Sequence, residues 1–201
     1  MKAIVIEEPG PDYRLVLHEI PAPRPGPGQL LIRVAAAGLN NADLLQARGK
    51  YPPPPGASPL LGLEISGTVA DAGDGVTGWK PGDRIIASFI PACGECWFCL
   101  HDESHLCDTE MAVMMSTRGS RSDGSQYMAM TGLGTFAEAM TCAESSVVKI
   151  TGEVPDEQLA LIGCGITTGV GAALNTARVH PGATVAVIGC GGVGQAVIQG
   201  A

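Results

Sequence analysis

The chain is short of positive charge: twelve Lys and Arg face twenty Asp and Glu over 201 residues, a formal charge of −8. A surface of that balance does not attract a phosphate backbone, so no nucleic-acid partner is expected. A secretion signal is also missing. Met1-Lys-Ala-Ile-Val-Ile-Glu-Glu-Pro-Gly10 holds an apolar stretch far too short for a signal core, and it runs into charge where a small-residue cleavage site would be needed. No uninterrupted apolar run approaches the roughly 20 residues that span a bilayer, so no membrane partner is expected either. A cytoplasmic, reducing setting follows. In that setting the seven cysteines read as thiols or metal ligands before they read as disulfides. What is present is 45% hydrophobic content, enough for one domain with its own core and part of a second.

Residues 1 to about 90 carry short β-like runs (Ala3–Glu7, Gln29–Ala36, Ile65–Ala70, Arg84–Ile90) between turns rich in Pro and Gly, the pattern of an all-β barrel or sandwich. Pro21–Pro27 has four prolines in seven residues and Pro52–Pro55 is prolines throughout, so both are expected to be extended loops. Ala42–Gly49 is a short helical candidate with Asp43 near its start. The polar stretch Ser116–Ser125 is expected to be mobile. Phe136–Ile150 returns to strand-like alternation, and Asp156–Ala177, dense in Ala, Gly, Ile and Leu, predicts closely packed helices. Thr184–Ile188 is an apolar run of strand length before a glycine-rich turn, the start of a parallel βα unit.

Cys93, Cys96, Cys99 and Cys107 have the spacing C-x2-C-x2-C-x7-C within a lobe spanning 91–108. One folded-back loop of this kind brings four thiolates around a tetrahedral Zn²⁺ at about 2.3 Å and fills its shell, so the role is folding and not chemistry. A pair of disulfides and an iron–sulfur cluster are the alternatives. The first needs an oxidising compartment, and the second a three-residue final gap followed by Pro. His101 and His105 sit too close to the cysteines for a zinc finger and read as solvated imidazoles. His18 and His180 are isolated, and Cys142 and Cys190 read as small buried thiols.

Gly189-Cys-Gly-Gly-Val-Gly194 follows the apolar run and opens a helical stretch, Val193–Gln199. Gly189 allows a tight turn, Gly191 and Gly192 let backbone amides approach a pyrophosphate with Val193, and Gly194 lets the helix pack closely. A tight turn that binds nothing is the other reading. NAD and NADP are not distinguished, because the acidic residue that would decide is expected beyond Ala201.

The cysteine lobe, Cys164-Gly-Ile-Thr-Thr-Gly-Val-Gly171 and the glycine-rich turn together resemble the zinc-type alcohol dehydrogenases of the medium-chain dehydrogenase/reductase superfamily. The resemblance implies a mainly β GroES-like barrel domain with a zinc lobe (1–165), followed by the first βα unit of an α/β Rossmann domain (166–201). It also implies a structural Zn²⁺, NAD or NADP, and a small-molecule carbonyl or quinone substrate in the cleft between the domains. The family holds its catalytic zinc by Cys, His and Cys. Cys164 matches the third, but Asn40 and Leu63 stand where the first two belong, and Ala42 and Leu45 stand at the proton-relay positions. In this region Gly38-Leu-Asn-Asn-Ala-Asp-Leu-Leu45 and 49–58 instead resemble the zinc-independent quinone oxidoreductases. Residues 1–90 therefore look like one branch and 91–201 like another, as either a chimera joined at Ile90–Pro91 or a divergent natural sequence would, with Val76–Asp83 common to both.

The resemblance makes the chain an NAD(P)H-dependent quinone or enone reductase with a structural zinc and no catalytic one. Asn40 is the candidate for polarising a substrate carbonyl, Tyr51 for a second donor or aromatic wall, and Asp43 with Glu64 for orienting the loop; Thr168 stands where the family contacts the nicotinamide. Asn40 and Thr168 are also plausible helix caps, and Tyr51 a packing residue. Two alternatives stay open: a zinc-dependent alcohol dehydrogenase with a makeshift site of Cys164, Glu64 and Asp43, and a non-catalytic zinc-binding fragment. Thr184–Ile188 without neighbouring strands should expose apolar surface, so a homo-oligomer, a dimer in the simplest case, is expected.

Overall fold

A computed structural model describes residues 1–51, 57–109, 117–120 and 126–201. Among the described residues, ten strands form two five-stranded sheets. The first has the order β2(Arg14–Glu19), β1(Lys2–Glu8), β4(Ala57–Leu60), β8(Gln126–Ala129), β7(Thr117–Ser120). The second has the order β10(Val147–Lys149), β6(Arg84–Ala87), β5(Ile65–Ala72), β3(Gln29–Ala37), β9(Ala139–Ala143). The β4–β8 pair is parallel; β1–β2 and every pair of the second sheet are antiparallel.

Strand β3 shows why the sequence takes this form. Leu30 and Ile32 point into the core with no exposure, while Arg33 faces solvent, the period-2 alternation of a half-buried strand. They pack with Ile65, Val69, Ile85, Leu133 and Met140 in one cluster. The expected run Arg84–Ile90 is cut to Arg84–Ala87, because the chain turns at Ser88, whose N–H is taken by the Ser146 carbonyl. Strand β2 was not legible as a run of its own; it forms by antiparallel pairing along β1. Part of the stretch expected to be mobile, Thr117–Ser120, is strand β7, and the rest of Ser116–Ser125 and all of Pro52–Pro55 lie outside the described residues.

Helix α1(Asn41–Ala47) crosses from β3 towards β4. Helix α2(Trp97–Leu100) lies in the cysteine lobe. Helix α3 runs over Asp156–Thr176 and changes character along its length: Asp156–Leu159 and Thr167–Gly171 are α-helical, Ile162–Ile166 and Ala172–Thr176 are π-helical. Its first turn is tied to the second sheet. Arg84 donates to the carbonyls of Gly152 and Val154 at 2.8 and 2.7 Å and to the Asp156 carboxylate at 2.7 Å, and the Ser66 hydroxyl donates to the Asp156 carbonyl. The expected domain boundary at 165/166 thus falls inside a continuous helix.

Contrary to the reading of uninterrupted runs, α3 is long and apolar enough to cross a membrane by length and composition, with a mean hydropathy of 1.4. Its polar residues are Thr, Asn and a first turn of charges, which break runs without lowering the average much. The same helix is pinned to the barrel at one end and packed by α4(Gly192–Gly200) at the other. There is no room for a side chain at Gly169, whose Cβ would lie 2.8 Å from the Val197 nitrogen. The α4 helix forms as expected, but Thr184–Ile188 is not a strand. With no strand beside it the run has no ladder to join, and Val185 and Ile188 are left exposed.

Candidate metal site and cleft

The lobe brings all four expected thiols together. The Sγ atoms of Cys93, Cys96, Cys99 and Cys107 lie within 4.8 Å of one another, with Cys93 to Cys99 at 3.9 Å. A regular tetrahedron with zinc–sulfur bonds of about 2.3 Å has edges of about 3.8 Å, so the cluster fits Zn²⁺ with small adjustments. It does not fit a disulfide, whose sulfurs stand about 2.05 Å apart; none of the seven cysteines is joined in a disulfide. Backbone amides already point at sulfur: Cys96 N–H donates to Cys93 Sγ at 3.2 Å and Cys93 N–H to Cys107 Sγ at 3.3 Å. The Thr109 hydroxyl, 3.1 Å from Cys107, and nearby amides hold that thiol down to about 6, while burial and the neighbouring thiols push Cys99 up to about 12. Four thiolates packed this closely need a counter-charge, which a divalent cation supplies. His101 and His105 are exposed as expected; His101 stacks on Trp97 at 4.2 Å and donates to its carbonyl.

The second site is a cleft of about 400 Å³ between the barrel and the last two helices. Its lining includes Leu39, Asn40, Glu64, Ile166, Gly192 and Val193, so the barrel loop and the glycine-rich turn face one space. Asn40 is the N-cap of α1, where its side chain and that of Asp43 form a capping box, and its amide also reaches across to Glu64. Nδ2 donates to Glu64 Oε1 at 2.7 Å, and the Asp43 carboxylate caps back onto the Asn40 N–H at 2.8 Å. The other Asp43 oxygen accepts the Gly62 N–H at 2.8 Å. Burial raises the Asp43 carboxyl above its usual range despite these donors, and the nearby Glu64 charge adds to the rise. Glu64, 2% exposed, also accepts the Cys164 N–H at 2.7 Å and the Gly165 N–H at 3.3 Å through Oε2.

The three family positions of the catalytic zinc therefore do converge. Asn40 and Cys164 meet on Glu64, and Leu63, 2% exposed, packs in the cluster that Cys164 borders. A makeshift site of Cys164, Glu64 and Asp43 does not assemble. Among the described residues only the four lobe thiols bring three or more ligand atoms together, and both carboxylates already satisfy backbone amides. Burial, then the Glu64 charge, raises the Cys164 thiol, and Thr168 lies beside it. Tyr51 is 55% exposed and is not among the described residues lining the cleft. Cys190, expected to be buried, is exposed in the glycine-rich turn.

At that turn Gly189 has φ +99°, a backbone conformation that favours glycine, and the helix behind it has no side-chain cap. Its first N–H groups are thus left to an external anion. Sequence reasoning underrated Glu64, naming it only as a loop-orienting carboxylate. It also passed over Leu39, Ile166 and Val193 as cleft walls. The available signal was Gly163 beside Cys164, where a Cβ would come 3.0 Å from the Glu64 Cβ.

Residues 26–156 match the alcohol dehydrogenase GroES-like domain family. S-(hydroxymethyl)glutathione dehydrogenase of Escherichia coli is 40% identical over 208 residues, covering 100% of this chain and 55% of its own length. Crystal structures of an alcohol dehydrogenase zinc-binding domain protein from Burkholderia ambifaria (29% identity, TM-score 0.85) and of benzyl alcohol dehydrogenase from Acinetobacter calcoaceticus (30% identity, TM-score 0.83) each superpose on 99% of the chain. The chain covers 55% and 54% of those two proteins, about half the length of the relatives it matches. The E. coli relative matches the chain on both sides of Ile90–Pro91, and a chimera joined there is not shown. The relatives' names favour the alcohol dehydrogenase alternative over a quinone reductase.

Proposed function

The chain belongs to the alcohol dehydrogenase GroES-like domain family, and from that premise we propose that it carries the substrate site of an NAD(P)-dependent oxidoreductase interconverting an alcohol and a carbonyl. One Zn²⁺ is held by Cys93, Cys96, Cys99 and Cys107 for folding, and no metal sits at Asn40, Glu64 and Cys164. The observation that supports this reading is the cleft, which Asn40 and the Gly192–Val193 end of the glycine-rich turn line together.

Residues 189–194 would hold the pyrophosphate through the uncapped start of α4, and Thr168 would meet the nicotinamide end, which supplies or accepts the hydride when bound. The chain's own part is to bind and orient. Leu39, Ile166 and Val193 give the cleft an apolar wall, and the free groups of the Asn40 amide hydrogen-bond the substrate oxygen. Leu63 closes the space that a zinc-ligating imidazole would use, so polarisation falls to a neutral amide. Slow turnover relative to a zinc enzyme is the consequence.

The test is metal stoichiometry joined to cofactor titration. One zinc per chain, with NADH or NADPH binding and benzyl alcohol oxidation when NAD⁺ or NADP⁺ is supplied as hydride acceptor, is the expected result. Two zincs per chain would overturn the metal-free centre, and absence of nucleotide binding would overturn the oxidoreductase reading while leaving the lobe intact.

A further inference from the structure

Glu64 is a buried carboxylate that the proposed chemistry does not itself use, and the structure is built around it. It gathers three N–H donors from two different units: the Asn40 side chain on the barrel loop, and the Cys164 and Gly165 amides on α3. Those two amides sit in the π-helical segment Ile162–Ile166. The segment widens where its N–H groups turn to a partner outside the helix. Two glycines make the cradle: a Cβ at Gly38 would come 2.8 Å from the Glu64 carboxyl carbon, and one at Gly163 would come 3.0 Å from the Glu64 Cβ.

We propose that Glu64 is a positioning residue that fixes which face of the Asn40 amide meets the ligand, an inference resting on the alcohol–carbonyl reading above. A carboxylate has only acceptors to offer, so Nδ2 must face it. With one lone pair of Oδ1 turned to the Asp43 N–H in the capping box, that leaves Asn40, which lines the cleft, with the other lone pair and one N–H for a ligand. Such a pair suits a hydroxyl, which both donates and accepts, better than a carbonyl, which only accepts. Glu64 also ties this orientation to α3: the atom pair that sets the amide and the pair that holds the helix backbone belong to one rigid carboxylate.

Glu64→Gln separates these roles. Its Oε1 has to take the Cys164 and Gly165 amides, so its Nε2 faces Asn40, and the Asn40 amide turns Oδ1 towards it and offers two N–H groups to the cleft. In ¹H–¹⁵N spectra of the whole chain, the Asn40 side-chain pair, identified by its disappearance in Asn40→Asp, is expected to lose its hydrogen-bonded shift in Glu64→Gln. The ratio of benzyl alcohol to benzaldehyde affinity should move about tenfold towards the aldehyde, the worth of one hydrogen bond. The double variant Asn40→Asp with Glu64→Gln exchanges amide and carboxylate and keeps every donor matched. It should restore a melting temperature that Asn40→Asp alone lowers by setting two carboxylates together. An unchanged Asn40 pair in Glu64→Gln, or a double variant no more stable than Asn40→Asp, overturns the positioning role while probe binding stands. Loss of probe binding in the unaltered chain, with the spectral change present, overturns the alcohol–carbonyl reading alone.

Discussion

Replacing Cys99 by Ser removes one corner of the thiolate tetrahedron, and the lobe has little else to hold it. Trp97, Leu100 and Leu106 are 60%, 68% and 49% exposed, and of the four cysteines only Cys107 is buried. Apolar burial within the lobe therefore falls well short of the conformational entropy of ordering it. Structural zinc in small lobes contributes on the order of 10–16 kcal/mol near pH 7, so a hydroxyl in place of one thiolate should release the ion and melt the lobe. The barrel should survive, because its core of Leu30, Ile32, Ile65 and Ile85 includes no lobe residue. What the barrel loses is the seating of Pro91 and Cys107, about 1–2 kcal/mol of apolar contact, or about 2–8 °C in Tm. The assay is zinc per chain by elemental analysis together with tryptophan fluorescence. The two tryptophans report separately: Trp97 stands in the lobe, and Trp79 is held in the barrel by a 2.9 Å hydrogen bond to Glu144. Cys99→Ser should take zinc from one per chain to near none and shift the Trp97 emission, read alone in a Trp79→Phe background. Retention of one zinc would refute the assignment of the four cysteines.

Other perturbations read the remaining contacts. Asp43→Asn offers one acceptor where two amides need one each, and is expected to cost about 1–3 kcal/mol by urea denaturation. Because burial raises the folded Asp43 pKa above its usual 3.8, the folded state binds the proton more readily there; wild-type stability should fall as pH climbs through that window, and the variant should lack this slope. Arg84→Ala frees two carbonyls and the Asp156 carboxylate at the start of α3 and should cost about 1–3 kcal/mol by the same measure. Gly194→Val drives a side chain into the Gly189 carbonyl and should weaken NADH binding at least about tenfold with zinc content unchanged. Asn40→Cys combined with Leu63→His should add a second zinc beside Cys164, seen as two ions per chain.

The parts that the residues announced are those governed by local rules. The lobe was legible because four thiols in one loop have few other arrangements available in a reducing setting. Strands β1, β3 and β5 were legible because one face of each is buried and the alternation says so. The failures share a physical origin in partners far along the chain. Thr184–Ile188 has the composition of a strand, but a strand is a property of pairs. Thr117–Ser120 is polar and glycine-containing, yet pairs because β8 lies beside it. The π turns of α3 have no signature in Ile162–Ile166, since the carboxylate that draws out the Cys164 and Gly165 amides lies a hundred residues earlier.

That long-range contact also explains how the centre tolerates Asn40 and Leu63 where its relatives' pattern has metal ligands. A carboxylate 2% exposed is costly unless its charge is answered, and a cation beside it would be one answer. Here three N–H donors supply another, two of them from a helix backbone that among single substitutions only proline would remove. With Glu64 satisfied in this way, the position opposite it has no need of a metal, and an apolar Leu63 can close the space without leaving a buried charge unpaired. The lobe has a weaker substitute. Its four sulfurs face one another with a few amides among them, so losing the ion there leaves thiolates that must take up protons, whereas losing it at the cleft leaves a carboxylate already bonded. On the reading proposed above the chain keeps one zinc site and dispenses with the other, and the difference lies in the charge to be answered: three N–H donors meet one carboxylate at the cleft, whereas in the lobe a few amides face four sulfurs.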